Sequence, residues 1–267
     1  MIFADESNIY YELDKNDHTA KIVYSPEFVD EEITIPRAVN YLDQDYVITS
    51  ISENSFKCNT NITKLRFSPD SQLKTIGPNA FQWSSLGSIE FPSFLIHISD
   101  FAFSSCNGLT NVYFPSNSQL TTIGKYAFEC NKVKTFSLPK SVKTIEERAF
   151  SQSNEMERFI IPEDSKLEII GIYAFEYSNF ESIAIPKSVT KLFEGAFFFC
   201  EKLTNVYFSG LFSQIVSIGK HAFEKTSIKN IFLPPRLQKI EELTFCRCKN
   251  LKTVTLSKSS ELYSIEP

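Results

Sequence analysis

An aliphatic residue, four others and then a phenylalanine: this phrase occurs nine times in a chain of 267 residues, and its internal spacing never changes. It reads Ile51-Ser-Glu-Asn-Ser-Phe56, Ile76-Gly-Pro-Asn-Ala-Phe81, Ile98-Ser-Asp-Phe-Ala-Phe103, Ile123-Gly-Lys-Tyr-Ala-Phe128 and Ile145-Glu-Glu-Arg-Ala-Phe150. It continues as Ile170…Phe175, Leu192…Phe197, Ile218…Phe223 and Ile240…Phe245. A unit this short cannot bury its apolar face alone, so it buries it against copies of itself, and the chain is expected to be a stacked solenoid. Solenoids act mostly by presenting an extended surface, which makes the outward positions the functional question.

After each Phe comes a short turn and then an apolar-x-x-apolar-x-apolar strand. The strands open at Ile62, Leu86, Leu109, Val133, Met156, Phe180, Leu203, Ile228 and Leu251, in steps of 24, 23, 24, 23, 24, 23, 25 and 23 residues. The alternation suggests a duplicated pair of coils. Strand positions one, four and six are expected to point inward. Pro92, Pro115, Pro139, Pro162, Pro186 and Pro234 follow their strands and end the ladder, because proline has no N–H to donate. Gly77, Gly124, Gly171 and Gly219 open the turn before the Phe in alternate coils, and Ala precedes the Phe in all but the terminal repeats, which have Ser55 and Thr244. The coil after Leu203 departs from the rule: it has no proline, reads Phe208-Ser-Gly-Leu-Phe-Ser-Gln and is one residue longer.

Charge divides the chain. Residues 1–50 carry eleven acidic groups against three basic ones, a net of −8, whereas residues 51–267 carry 24 basic and 21 acidic, a net of +3. The start is read as an acidic N-terminal cap region, 1–50, and the remainder, 51–267, as a solenoid of about nine coils. The weak positive excess is no nucleic-acid footprint. No eighteen-residue apolar run is present, so no membrane insertion is expected. Met-Ile-Phe-Ala-Asp-Glu has neither the basic start nor the apolar stretch of a signal peptide. The sequence stops at Ser264-Ile265-Glu266-Pro267, where the next Ala-Phe falls due, and the expectation is a longer natural protein cut mid-repeat.

Catalytic constellations are missing: there is no Gly-x-Ser-x-Gly, phosphate loop, Gly-x-Gly-x-x-Gly or His-Glu-x-x-His, and no enzyme, cofactor or metal site is expected. His97 and His221 fall in repeat frames. Glu146-Glu147 and Glu241-Glu242 occupy equivalent turns and are read as solvated. Cys106, Cys130, Cys200 and Cys248 each lie three residues before a strand opening, and Cys58 lies four before; with Cys246 they read as buried small thiols rather than a disulfide or zinc framework. Cys106 and Cys130, taken as equivalents in adjacent coils, are the one plausible disulfide pair. Asn61-Ile62-Thr63 is the single glycosylation sequon.

The motif Leu-Thr-Asn-Val-Tyr-Phe-Pro-(x)n-Leu-Thr-Thr-Ile-Gly-Lys-Tyr-Ala-Phe-Glu-Cys across 109–130, repeated over about residues 33–265, resembles the BspA-like, Treponema-type subclass of leucine-rich repeats. The resemblance implies a right-handed, curved leucine-rich-repeat solenoid with one parallel sheet of short strands and short helical or 3-10 turns opposite. It also implies a surface or secreted protein of bacteria or protists, often linked to adhesion.

On the sheet, positions three and five face outward. The expected partner-binding stripe is Tyr113, Ile160, Tyr207 and Phe232 at position five, helped by Asn111, Arg158, Asn205 and Asn230 at position three. Exposed aromatics beside adaptable polar groups suit a protein or glycan ligand. Strand propensity alone would also favour such residues there. The rival site is Leu211-Phe212 on the irregular loop. The reading is a non-catalytic binding or adhesion module at a cell surface or outside the cell; the alternative is an intracellular protein–protein scaffold.

Overall fold

The computed structural model describes residues 1–25 and 29–267, with the Leu211 side chain set aside. They form two compact units, Met1–Lys132 and Val133–Pro267.

The first unit starts with an antiparallel run, Ile2–Ala4, Tyr10–Asp14 and Thr19–Ile22. Strict alternation buries Tyr11, Leu13, Ala20 and Ile22 and turns Glu12, Asp14 and Lys21 outward. Thr19–Ile22 then pairs in parallel with Gln44–Ile51, itself the second arm of a hairpin with Ala38–Tyr41. That hairpin turns through Leu42 and Asp43, both at positive φ (51° and 63°), the geometry whose twist matches the flanking strands. Ile51 aligns with Ile76 and starts the repeat.

Each coil then contributes two strands rather than one. The expected sheet strands are present: Glu32–Ile35, Lys64–Phe67, Ser88–Glu90 and Asn111–Tyr113 pair in parallel in the first unit. In the second unit the parallel pairs are Thr135–Ser137 with Arg158–Ile160, Ser182–Ile185 with Asn205–Phe208, and Asn230–Leu233 with Thr253–Leu256. The expectation of a single sheet needs correction, because the aliphatic residue that opens each phrase lies on a ladder of its own. Thr75–Ile76, His97–Ile98 and Thr122–Ile123 pair in parallel in the first unit. Thr144–Ile145, Ile169–Ile170, Lys191–Leu192, Ser217–Ile218, Lys239–Ile240 and Ser264–Ile265 do so in the second. Two-residue strands carry no alternation to read, which hid them.

The expected helical turns are also corrected. Among the described residues the one helical segment is the 3-10 turn Gly210–Phe212, which absorbs the extra residue of the irregular coil. The other turns cannot wind into helix because residues two before and two after each motif Phe are left-handed. The first set is Asn54, Asn79, Phe101, Tyr126, Arg148, Tyr173, Gly195, His221 and Leu243; the second is Cys58, Trp83, Ser105, Cys130, Gln152, Tyr177, Phe199, Lys225 and Arg247, all with φ between 53° and 59°. A left-handed residue breaks a right-handed helix. Its gain here is directional: alternate N–H groups all aim at the next coil. Tyr173, Phe175 and Tyr177 donate to the carbonyls of Glu194, Ala196 and Phe198, and Gly195, Phe197 and Phe199 donate to those of Lys220, Ala222 and Glu224, at 2.8–2.9 Å. The turns are therefore a third backbone ladder, and its polar groups are satisfied without helix.

This ladder explains the motif. The Phe rings point inward and stack coil on coil, at 5.2–5.3 Å from Phe56 through Phe81 and Phe103 to Phe128, and at 5.4–5.7 Å from Phe150 through Phe175, Phe197 and Phe223 to Phe245. The Ala before each Phe is fully buried where adjacent backbones meet. At Gly171 an added Cβ would sit 2.7 Å from the backbone carbon of Glu146, so the turn tolerates no side chain there.

Candidate interaction surfaces

On the sheet face of the second unit, Ile160, Tyr207 and Phe232 are exposed at position five, with Arg158, Asn205 and Asn230 exposed at position three. Register puts Tyr207 opposite Ala184 and Phe232 opposite Thr255, and Asn205–Phe208 lies beside Asn230–Leu233. The inward neighbours Phe159, Val206 and Ile231 are buried, so the backbone under the row is anchored. Asn205 Nδ2 donates to Thr204 Oγ1 at 2.9 Å, and Thr253 Oγ1 donates to Asn230 Oδ1 at 2.5 Å, which fixes two of the amides. Tyr113 and Asn111 belong to the first unit. There Tyr113, 56 % exposed, donates its hydroxyl to Asn111 Oδ1 at 3.4 Å. With Glu90, Phe91, Phe114 and Pro115 it lines a shallow depression of about 500 Å³. On the rival loop Phe212 is 74 % exposed; the Leu211 side chain lies outside the described residues.

A second surface escaped the sequence reading. The left-handed turn residues project from the turn face in two rows, and in the second unit these rows are aromatic and cationic. The Arg148 guanidinium lies 4.8 Å over the Tyr173 ring. Tyr173 donates to Glu194 Oε1 at 3.1 Å, and its hydroxyl pKa is pushed up to about 12, first by burial and then by that carboxylate. The ring lies over Gly195, where a Cβ would meet it at 2.2 Å. Gly195 stands at left-handed φ where the other eight coils have a side chain, and this vacancy admits the ring. Phe198 fills the adjoining space, 5.5 Å from Tyr173, 4.3 Å from Phe199 and 5.9 Å from the His221 ring. In the other row Tyr177 and Phe199 are 5.1 Å apart, and Lys225 Nζ is 4.1 Å over Phe199. The signal was present at fixed offsets from each Phe, but bulky residues rarely mark a left-handed backbone, so nothing flagged it.

Two of the residues that directly follow a motif Phe are buried carboxylates. Glu176 accepts from Arg148 at 2.9 Å and from Ser151 Oγ at 3.2 Å; Glu224 meets His221 Nδ1 at 2.6 Å. His221 is thus a structural partner of Glu224.

In five coils the side chain of the third residue after the Phe donates to the carbonyl of the preceding motif Phe. Cys106, Cys200 and Cys248 donate through Sγ to Phe81, Phe175 and Phe223 at 3.0 Å, while Asn131 and Ser178 serve Phe103 and Phe150. Cys130 is therefore not the equivalent of Cys106. Its coil has one fewer residue between Phe and strand, so Asn131 takes that slot and Cys130 moves to the left-handed position. None of the six cysteines forms a disulfide. Burial pushes the Cys106 thiol up to about 11 and also raises Cys200. The expectation of uniformly buried thiols holds for these two; Cys58 is exposed and Cys130, Cys246 and Cys248 are half-buried.

A family model described as BspA type leucine rich repeat region (6 copies) matches residues 49–171 and 168–266. The chain belongs to this family. Among solved structures, this BspA-type protein is similar to the pneumococcal vaccine antigen PcpA, at 21 % identity and a TM-score of 0.62, over 99 % of this chain and 81 % of that one. It is also similar to the leucine-rich repeat protein TpLRR of T. pallidum, at 20 % identity and a TM-score of 0.56, over 83 % of this chain and 88 % of that one. Identities this low show a shared fold. No curated protein matches the sequence. BspA-type solenoids are typically non-catalytic and typical of protein-binding or adhesion surface proteins. Among the described residues, no helix is long and apolar enough to cross a membrane, and no group of three or more His, Cys, Asp or Glu is placed to hold a metal ion.

Proposed function

We propose that this BspA-type chain is a non-catalytic binding module of the adhesion class, acting at a cell surface or outside the cell. It takes a protein partner on the sheet face of its second unit. The carrying observation is the exposed row Ile160, Ala184, Tyr207 and Phe232 on register-matched or neighbouring strands, flanked by Arg158, Asn205 and Asn230. Large amphipathic rings held on a rigid backbone lose little entropy on binding and supply most of the energy of protein interfaces. Tyr113 and Asn111 extend the same chemistry to the first unit. An intracellular scaffold is the second reading, favoured by six cysteines without a disulfide.

The test is a binding screen against extracellular-matrix and serum proteins, with a glycan array beside it. For a captured ligand, Tyr207→Ala should weaken binding by more than about 1 kcal/mol while Phe212→Ala leaves it unchanged. Loss at Phe212 alone moves the site to the loop and ends the sheet reading.

A further inference from the structure

Charge is uneven within the repeat itself. Residues 51–200 carry fourteen basic and fifteen acidic groups, but residues 201–267 carry ten basic and six acidic, a net of +4. Three of these cations converge on one groove of about 300 Å³ on the turn side of the last coils, formed by Lys225, Arg247 and Lys249 with Ser227, Asn250 and Glu201. Lys225 and Arg247 are there because both occupy the left-handed row, which projects them outward. Their neutralisation is incomplete: Glu201 is 3.8 Å from Lys225 and Glu224 is 4.0 Å from Arg247, at the limit of an ion pair. Lys249 is exposed and forms no ion pair among the described residues. The same row runs on into aromatic rings, with Lys225 over Phe199 and Phe199 beside Tyr177, which is 41 % exposed.

We propose that this groove is a second binding site, for an anionic saccharide. The cations take the sulfate or carboxylate, and the exposed Tyr177 ring, which Phe199 backs, takes the apolar C–H face of a further sugar ring. Ser227 and Asn250 offer hydrogen bonds to hydroxyls. Glu201 can accept from a sugar O–H, a partner that poly-glutamate does not offer. The size suits a monosaccharide unit, since small-ligand sites begin at about 300 Å³.

The experiment is calorimetric titration of the whole chain with four probes: a heparin-derived oligosaccharide, a hyaluronan-derived oligosaccharide, a neutral chitin oligosaccharide and poly-glutamate. Binding of the first or second, but not of the third or fourth, is expected, weakening as salt is raised. Preference for the first identifies sulfate as the anion and preference for the second identifies carboxylate; either supports the site. Lys249→Gln should weaken binding about tenfold through loss of a charged hydrogen bond. Phe199→Ala should weaken it about 2- to 10-fold through loss of ring contact. Lys140→Gln, whose lysine pairs with Asp164 away from the groove, and the sheet variant Tyr207→Ala should both bind as the parent does. The proposal is overturned if neither anionic oligosaccharide binds, if poly-glutamate binds as tightly, if Lys249→Gln is without effect, or if Lys140→Gln or Tyr207→Ala weakens binding equally. The Tyr207 arm keeps this site separate from the protein-binding sheet.

Discussion

Removing one ring from the Phe stack measures how much of the fold it carries. Phe175 is fully buried, lies flat between Phe150 and Phe197 at 5.5 Å on either side, and takes the edges of Phe159 at 4.6 Å and Phe180 at 5.5 Å. Truncation to alanine forfeits about 2 kcal/mol of transfer free energy. The four rings around the gap are themselves stacked and cannot close it, so a void of about 80 Å³ remains, costing about another 2 kcal/mol at roughly 24 cal/mol per Å³. The sum, about 4 kcal/mol, falls within the ~3–5 kcal/mol range for Phe→Ala in cores. Urea unfolding followed by far-UV circular dichroism reads it directly. Phe232→Ala on the exposed sheet row is the matched control and should cost less than about 1 kcal/mol. Because a coil touches only its neighbours, the loss should appear first as early melting of the second unit. A Phe175→Ala midpoint within error of Phe232→Ala would refute the stacked-ring core.

Further outcomes follow from the turn ladder and the thiols. Gly195→Ala should destabilise by roughly 1–2 kcal/mol, since it meets both left-handed backbone and the Tyr173 ring; an unchanged thermal midpoint would refute that geometry. Arg148→Ala should cost about 1–2 kcal/mol by leaving Glu176 buried beside only Ser151, and Glu176→Gln in the same background should recover part of it; no recovery would show that the carboxylate is not the reason. Burial raises the Cys106 and Cys200 pKa, so few thiolates form there until strongly alkaline pH. Iodoacetamide at mildly alkaline pH should therefore label Cys58 first and leave Cys106 and Cys200 until urea is added, when all six label without reductant. Three disulfides found by mass spectrometry would overturn this.

Much of this protein was legible as sequence because its period is a packing period. Ile145 and Phe150 recur at fixed offsets since each must land on its counterpart in the next coil, so spacing alone named the solenoid, the buried rings and the outward positions of the sheet. The same reasoning placed Tyr207 and Phe232 at exposed positions, because alternation along a strand is a local property. Other features depended on how the turns fold. The two-residue Ile ladder is too short to show alternation. Left-handed backbone at Tyr173, Phe199 and Lys225 has no residue-type signature when glycine is not used; it exists because alternate N–H groups must reach the next coil. Cys130 and Asn131 exchanged roles through a single missing turn residue, a difference that spacing to the strand concealed and spacing from Phe128 reveals. The aromatic and cationic surface of the turns, and the groove at Lys249, arise from that tertiary ladder: it selects which side chains a coil must send outward, and the sequence only fills those places.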